Sequence, residues 1–331
     1  MMASDDLERV SRALQAASRV VLTTHVNPDG DALGSELALG RFLKGLGKDV
    51  TILNHDATPA AYQFLDEHGL LTQYDANRHA DLVSNADAVV VLDANQISRI
   101  GSLEGPVSSC TAVKLCIDHH QDAQAFADIM IVDPHAAATA VLVYQLLVRM
   151  GGSSIGKHIA DPLYVAIMTD TGSFRFPSTD ASLHHIVAQL IVQGADPARL
   201  YQRVYEENPP RRIRLMGMVL ATLETLADGR IAYLTATREM FSGTGTSESD
   251  TENFINHTLS IRGVVIGLMF TELPGLVKIS FRSKGNIPVN KLAQQLGGNG
   301  HLNAAGARVG GEPLERVVPR VLEAATNFLD A

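Results

Sequence analysis

Short, unbroken apolar runs rich in β-branched residues alternate with amphipathic stretches through the first half of this chain. The runs at residues 19–24 (RVVLTT), 89–92 (VVVL) and 113–117 (VKLCI) read as strands. A strand with one wet face alternates polar and apolar side chains, whereas a continuous apolar run suits a parallel sheet covered on both faces. Helical periodicity fills the intervals, at 32–46, 59–68 and 138–150. Such alternation predicts an α/β, doubly wound domain with a mainly parallel sheet.

Residues 157–206 read as helical throughout, and Pro209 and Pro210 then interrupt the pattern. Past Gly229 the strand-like runs 230–235, 264–270 and 277–281 mix with helical stretches near 250–259, 289–295 and 312–329. This predicts a smaller C-terminal α/β domain. The expected organisation is a first domain over 1–206, a helical linker over 207–228 and a second domain over 229–331. Residues 242–250 (SGTGTSESD) are expected to form a flexible loop.

Composition narrows the function classes. A chain of 331 residues has room for two cores, and 46% hydrophobic content excludes wholesale disorder. No apolar run approaches the ~18–20 residues of a membrane span. The start, MMASDDLERV, lacks a basic segment followed by an apolar one, so a cytoplasmic location is expected. Two cysteines, Cys110 and Cys116, exclude a disulfide scaffold or a thiolate-rich zinc fold. The net charge of −9 is unevenly spread: residues 1–190 hold 12 Lys and Arg against 22 Asp and Glu, and the remainder hold 15 against 14. Long nucleic acid, whose binding needs many basic contacts, is a poor partner for such a surface.

Four polar signals share one placement, just past the end of an apolar segment. They are His25, Asp29 and Asp31 in HVNPDGD, then Asp93, then Asp118-His119-His120, then Asp170. Each alone has an ordinary structural reading, as a helix cap, a turn or a solvated pair. Their recurrence at equivalent positions does not. Ligands of open parallel sheets bind beyond the carboxyl ends of the strands, so these groups are expected to meet in one crevice. Histidines and carboxylates without a thiolate favour Mn²⁺ or a similar ion. The number of donors suits two metals sharing a bridging carboxylate, an arrangement suited to phosphoryl displacement.

With these motifs the sequence resembles the DHH phosphoesterase superfamily, named for the motif that stands here as Asp118-His119-His120. The second half resembles its DHHA1 domain, through Phe281-Arg282-Ser283-Lys284, Gly297-Gly298-Asn299-Gly300-His301 and Ala304-Ala305-Gly306. Within the superfamily the chain is most similar to the nanoRNase (oligoribonuclease)/pAp phosphatase family. The resemblance implies one metal on His25, Asp29 and Asp93 and another on Asp31, Asp93, His119 and Asp170. Two Mn²⁺ ions are expected, with Mg²⁺ or Co²⁺ as substitutes. It makes His120 the residue facing the scissile phosphate and Asp118 the one orienting a histidine. Arg282, Ser283, Lys284, Gly298, Asn299, Gly300 and His301 would bind substrate, the glycines by letting backbone N–H groups approach a phosphate.

The implied activity is hydrolysis of very short RNA or DNA oligonucleotides to nucleoside monophosphates, and of 3′-phosphoadenosine 5′-phosphate (pAp) to AMP. The implied partners are those short oligonucleotides and nucleotide bisphosphates, with no long duplex and no membrane; a homodimer is compatible. A cyclic-dinucleotide phosphodiesterase is the enzymatic alternative, and a non-catalytic nucleotide or RNA binder the alternative of another class. Two positions depart from the family pattern. Asn299 stands where a glycine is usual, and Val141 stands in Thr139-Ala140-Val141 where a glutamate is common. Arg211, Arg212 and Arg214 read as a solvated hinge helix, and both cysteines as inert.

Overall fold

The computed structural model describes residues 2–152 and 154–330, with the side chains of 2–4, 301 and 330 outside the description. The chain divides into two compact units, 1–207 and 208–331. In the first, the strands are β1 (Arg19–Thr23), β2 (Asp49–Asn54), β3 (Leu71–Gln73), β4 (Ala88–Leu92), β5 (Val113–Asp118) and β6 (Ile129–Val132). All pair in parallel, in the order β3-β2-β1-β4-β5-β6. The helices are α1 (Met2–Ala16), α2 (Gly30–Gly45), α3 (Ala76–Ser84), α4 (Glu104–Ser109), α5 (Thr139–Arg149), α6 (Lys157–Asp170), α7 (Ala181–Val192) and α8 (Pro197–Tyr201).

The continuous apolar strands are buried on both faces, as their sequences predict. Val20, Leu22, Val90 and Leu92 pack with α2, α5 and α6, while Val21, Val89 and Val91 pack with α3 and α4. The helix expected at 59–68 is a 3-10 turn at Ala60–Leu65, and 157–206 is broken by irregular turns rather than helical throughout. Sequence reading passed over β2, β3 and β6, which are short or only partly buried.

Helix α2 lies against α6 at unusually close range. Gly34 makes this possible: a Cβ there would stand 2.4 Å from the Pro162 carbonyl oxygen and 2.8 Å from the Ala166 Cβ. Pro162 lies inside α6 and has no N–H, so the carbonyl of His158 loses its helical partner. Arg41 of α2 donates to that oxygen at 2.6 Å, so the defect in one helix is repaired by the other. The α2–α6 pairing matters because Asp31 lies at the start of one helix and Asp170 at the end of the other.

The second unit carries α9 (Pro210–Leu220), β7 (Glu224–Leu226), β8 (Ile231–Ala236), α10 (Arg238–Thr244), β9 (Ile266–Leu273), β10 (Leu276–Ser283), α11 (Val289–Gln294), β11 (Asn299–His301), β12 (Ala304–Gly310) and α12 (Leu314–Asp330). Its sheet order is β11-β12-β10-β9-β8-β7, antiparallel except for β8 beside β9. One face packs Leu268, Phe270, Ile279 and Phe281 against α11 and α12. The other packs Leu234 and Met269 against Leu215 and Val219 of α9. The helix of the expected linker is therefore part of this unit's core. Arg212 on it is half-buried rather than solvated: it donates to the carbonyls of Asp250 (3.0 Å) and Glu252 (2.6 Å) and lies over the Phe254 ring. The segment expected as a flexible loop contains a capped turn at Ser247–Asp250, and Glu248 pairs there with Lys278 and Arg308.

Candidate metal centre

Strands β1, β4 and β5 are neighbours at the centre of the first sheet, and their carboxyl ends carry His25, Asp93 and Asp118-His119-His120. Strand order reverses between β1 and β4, which is the switch point where α/β sheets hold ligands. At Asp93 the backbone turns into the left-handed region, φ 58°, as the chain leaves β4. A non-glycine residue there carries strain of the kind that accumulates at functional sites.

The side chains converge. His25 Nε2 lies 3.3 Å from Asp93 Oδ2, and His119 Nε2 lies 3.4 Å from Asp170 Oδ2, 3.7 Å from Asp93 Oδ1 and 3.8 Å from Asp31 Oδ2. One donor atom from each of His25, Asp29 and Asp93 lies within 4.8 Å of the others, and the same holds for Asp31, His119 and Asp170 and for Asp93, His119 and His120. Asp93 and His119 each belong to two of these sets, so the donors form one continuous cluster.

Most of the donors are held from behind. The Nδ1 atoms of His25 and His119 face the carbonyls of Val26 (2.8 Å) and Ala136 (3.1 Å), which turns both Nε2 atoms to the cluster. Asp118 accepts from the His120 backbone N–H at 3.1 Å and faces its Nδ1 at 2.7 Å, so the carboxylate holds that ring. Asp29 caps α2 by accepting from the N–H groups of Asp31 and Ala32.

Asp31 is gripped by residues over a hundred positions away. The N–H groups of Thr139 and Ala140, at the start of α5, donate to its two oxygens at 2.6 and 3.0 Å. The Thr139 hydroxyl donates to Asp93 Oδ1 at 2.8 Å. A helix N-terminus stabilises a carboxylate by its dipole and its unpaired N–H groups. Sequence reading noted Thr139-Ala140 only for the glutamate missing after it, and missed this role. It also missed buried Glu36 on α2, whose carboxyl accepts from Asn54 at 2.7 Å while Asn54 accepts from the Thr24 N–H at 3.2 Å.

The electrostatics show a crowd of buried carboxyls balanced only in part by the imidazoles. Burial, then the charges of Asp93, Asp170 and Asp29, hold the Asp31 carboxyl well above the usual range. Asp170 is pushed up to about 7, first by burial and then by Asp29 and Asp93 against the pull of His119. Burial would raise Asp93 too, but His120, His25 and His119 outweigh it and hold this carboxyl low. Burial would lower His25 and His119, yet the surrounding carboxylates raise both. Crowded acids that would otherwise take up protons, with N and O donors and no thiolate, fit divalent cations. Cys116 lies in β5 with its thiol pushed up by burial, and is no ligand.

The second unit arranges its expected substrate residues on and beside β10 and β11. Arg282 is half-buried, donates to the Phe281 carbonyl at 3.0 Å and is lowered by burial, with Glu252 opposing. Lys284 is exposed beyond the end of β10. The Ser283 hydroxyl donates to the Ile287 carbonyl at 2.6 Å and accepts from Asn303, so it braces the turn after the strand. Gly298 and Gly300 have a packing reason to be glycine. A Cβ would meet the Gly306 carbonyl at 2.1 Å from the first and the Ala304 carbonyl at 2.4 Å from the second. Asn299 accepts from the Gly300 N–H at 2.8 Å, within a short strand rather than a loop. The side chain of His301 lies outside the described residues.

Residues 19–167 match the family described as the DHH family, N-terminal domain, and residues 228–331 match the DHHA1 domain. A Thermus thermophilus protein named bifunctional oligoribonuclease and PAP phosphatase NrnA is 33% identical over 98% of this chain and 95% of its own length. The chain belongs to the DHH/DHHA1 phosphoesterases, in their nanoRNase/pAp phosphatase family. A Bacillus subtilis protein of the same name is 25% identical over 90% of this chain and 91% of its own. Among solved structures, an exopolyphosphatase-related protein from Bacteroides fragilis superposes with a TM-score of 0.93 at 32% identity, covering 99% of this chain and 98% of that one. Phosphoesterases of the DHH family are metal-dependent, in keeping with the donor cluster. No helix among the described residues is long and apolar enough to cross a membrane.

Proposed function

We propose that this chain is a metal-dependent phosphoesterase that hydrolyses very short oligonucleotides to nucleoside monophosphates and converts pAp to AMP. The observation that carries the reading is the convergence of His25, Asp29, Asp31, Asp93, His119 and Asp170 at the switch point of the sheet. End-to-end similarity to proteins named for both activities supports the substrate class.

His25, Asp29 and Asp93 are assigned to one divalent ion and Asp31, Asp93, His119 and Asp170 to the other, with Asp93 shared. Mn²⁺ suits this donor set, and Mg²⁺ or Co²⁺ are substitutes. When bound, such ions supply Lewis acidity at the phosphoryl group and activation of the water that attacks it. The protein's own part is positioning. The start of α5 fixes Asp31, Thr139 fixes Asp93, and the Val26 and Ala136 carbonyls fix the imidazoles. Asp118 holds His120 by Nδ1, so Nε2 is assigned to the oxygen on which charge develops as the P–O bond breaks. In the second unit Arg282 and Lys284 are assigned to substrate phosphate, with Asn299, Gly300 and His301 against the terminal nucleotide. Ser283 and Gly298 shape that surface.

A substrate panel in Mn²⁺ tests the reading. It compares 5′-labelled oligonucleotides from dimers to long strands, pAp, cyclic dinucleotides and pyrophosphate. Dimers to short oligomers and pAp should be hydrolysed fastest. A preference for long strands, cyclic dinucleotides or pyrophosphate would overturn the assignment.

A further inference from the structure

We propose that Arg99 is a substrate-binding residue of the metal centre, holding a non-bridging phosphoryl oxygen at its His25 edge. The proposal rests on the phosphoesterase reading above and adds to it a group that the DHH and DHHA1 motifs leave unassigned. Arg99 lies six residues past Asp93, in a 3-10 segment at Ile97–Leu103. Its backbone is tied to the loop that carries His25: the Val26 N–H donates to the Arg99 carbonyl at 2.8 Å, and Val26 in turn fixes the His25 ring. The Arg99 N–H donates to Gln96 at 3.0 Å. Gly101, at φ 59°, lets the segment press inward, since a Cβ there would stand 2.7 Å from the His55 ring and 2.8 Å from the Val26 side chain. The position of Arg99 is therefore set from both sides.

Arg99 is half-buried, and its guanidinium makes no hydrogen bond or ion pair among the described residues. Through that backbone link Arg99 sits beside the loop that carries His25, and its charge is felt at the cluster. Arg19, Arg149 and Arg199 in the same unit pair with carboxylates, and Arg41 binds carbonyls. A guanidinium carries several N–H donors in a fork that matches phosphate oxygens, and partial burial raises the cost of leaving them unmatched. The metal-centre cluster is otherwise acids and imidazoles, so Arg99 would bring it a permanent protein cation.

The test uses the full-length protein loaded with Mn²⁺ and the variants Arg99→Ala, Arg99→Lys and Arg99→Gln. Calorimetry measures equilibrium binding of AMP, a product that is not itself turned over. Mn²⁺ titration and thermal unfolding are measured on the same samples, and KM and kcat on a dinucleotide. Arg99→Ala should weaken AMP binding roughly 10- to 100-fold and raise KM similarly, the range expected for a charge-assisted contact. Arg99→Lys should recover part of the loss because it keeps the charge without the fork. Mn²⁺ affinity and the unfolding temperature should match wild type in all three. Unchanged AMP affinity in Arg99→Ala overturns the proposal, and so does a loss that tracks weakened Mn²⁺ binding or unfolding. A wild-type protein inactive on the whole substrate panel sinks the phosphoesterase reading instead, and the AMP titration separates the two failures.

Discussion

Replacing Gly34 with alanine tests whether the α2–α6 contact sets the metal centre. The new Cβ would stand 2.4 Å from the Pro162 carbonyl oxygen and 2.8 Å from the Ala166 Cβ. Ordinary contact between carbons is about 3.5–4.0 Å, so the helices must separate by roughly 1 Å. Neither neighbour can swing aside, because one is backbone and the other is a Cβ. Overpacking of this kind costs about 1–3 kcal/mol. The same shift reaches the donors, since Asp31 is three residues from Gly34 and Asp170 four from Ala166. His119 Nε2 stands between them, 3.8 Å from one carboxylate and 3.4 Å from the other. A displacement of about 1 Å at a reacting centre can cost on the order of 10²-fold in rate. Gly45, on the same helix, is the control: its Cβ would meet nothing within 4 Å and its φ is not positive. Gly45→Ala should be neutral or stabilise by up to ~1 kcal/mol, as alanine is the better helix former. Urea unfolding in chelator, Mn²⁺ titration and dinucleotide hydrolysis are measured on both variants. If Gly34→Ala matches wild type in stability and in Mn²⁺ affinity, the helix contact does not set the site and the reasoning fails.

Three further outcomes are expected. Asp93→Asn should abolish hydrolysis and weaken Mn²⁺ binding while the protein still folds in chelator, because asparagine tolerates the left-handed backbone at this position; activity assays and circular dichroism on one preparation check this. Thr139→Val removes the hydroxyl that donates to Asp93 at 2.8 Å and should lower Mn²⁺ affinity about 10-fold or more, read by calorimetry. Glu36 is raised by burial to about 8 from an ordinary 4.5, so between those values the unfolded chain has lost a proton that the native protein keeps. Its contribution to the stability of the metal-free protein should therefore fall as pH rises through that window, by at most about 1.4 kcal/mol per pH unit, alongside same-sign contributions from the raised Asp31 and Asp170. Glu36→Gln should make the profile less steep in urea melts at pH 5 to 8; an unchanged slope would exclude Glu36 as a contributor.

Local sequence carries the strand positions well because a doubly buried strand needs an unbroken apolar run, as at residues 89–92. It carries the site residues for a related reason. His25, Asp93 and His119 stand where apolar runs end, and in a parallel sheet those ends lie together. Glycines are less legible. At 298 and 300 the sequence suggests room for a phosphate, but the structure adds a backbone reason: β11 lies so close to β12 that no Cβ fits. Arg212 reads as a solvated cation because nothing in its neighbourhood of sequence shows the carbonyls, some forty positions away, that it binds.

The sequence by itself determined the alternation of strand and helix, the two-part organisation and the list of donors, since each follows from local periodicity and from where polar residues interrupt it. Tertiary structure alone decided that β1, β4 and β5 are neighbours, that α5 presents its first N–H groups to Asp31, and that α2 can lie against α6. Those contacts join residues more than a hundred positions apart, as Asp31 with Ala140 and Gly34 with Ala166. Their energies come from strand pairing, burial and a helix terminus meeting a carboxylate, and none of these leaves a periodic trace in the chain.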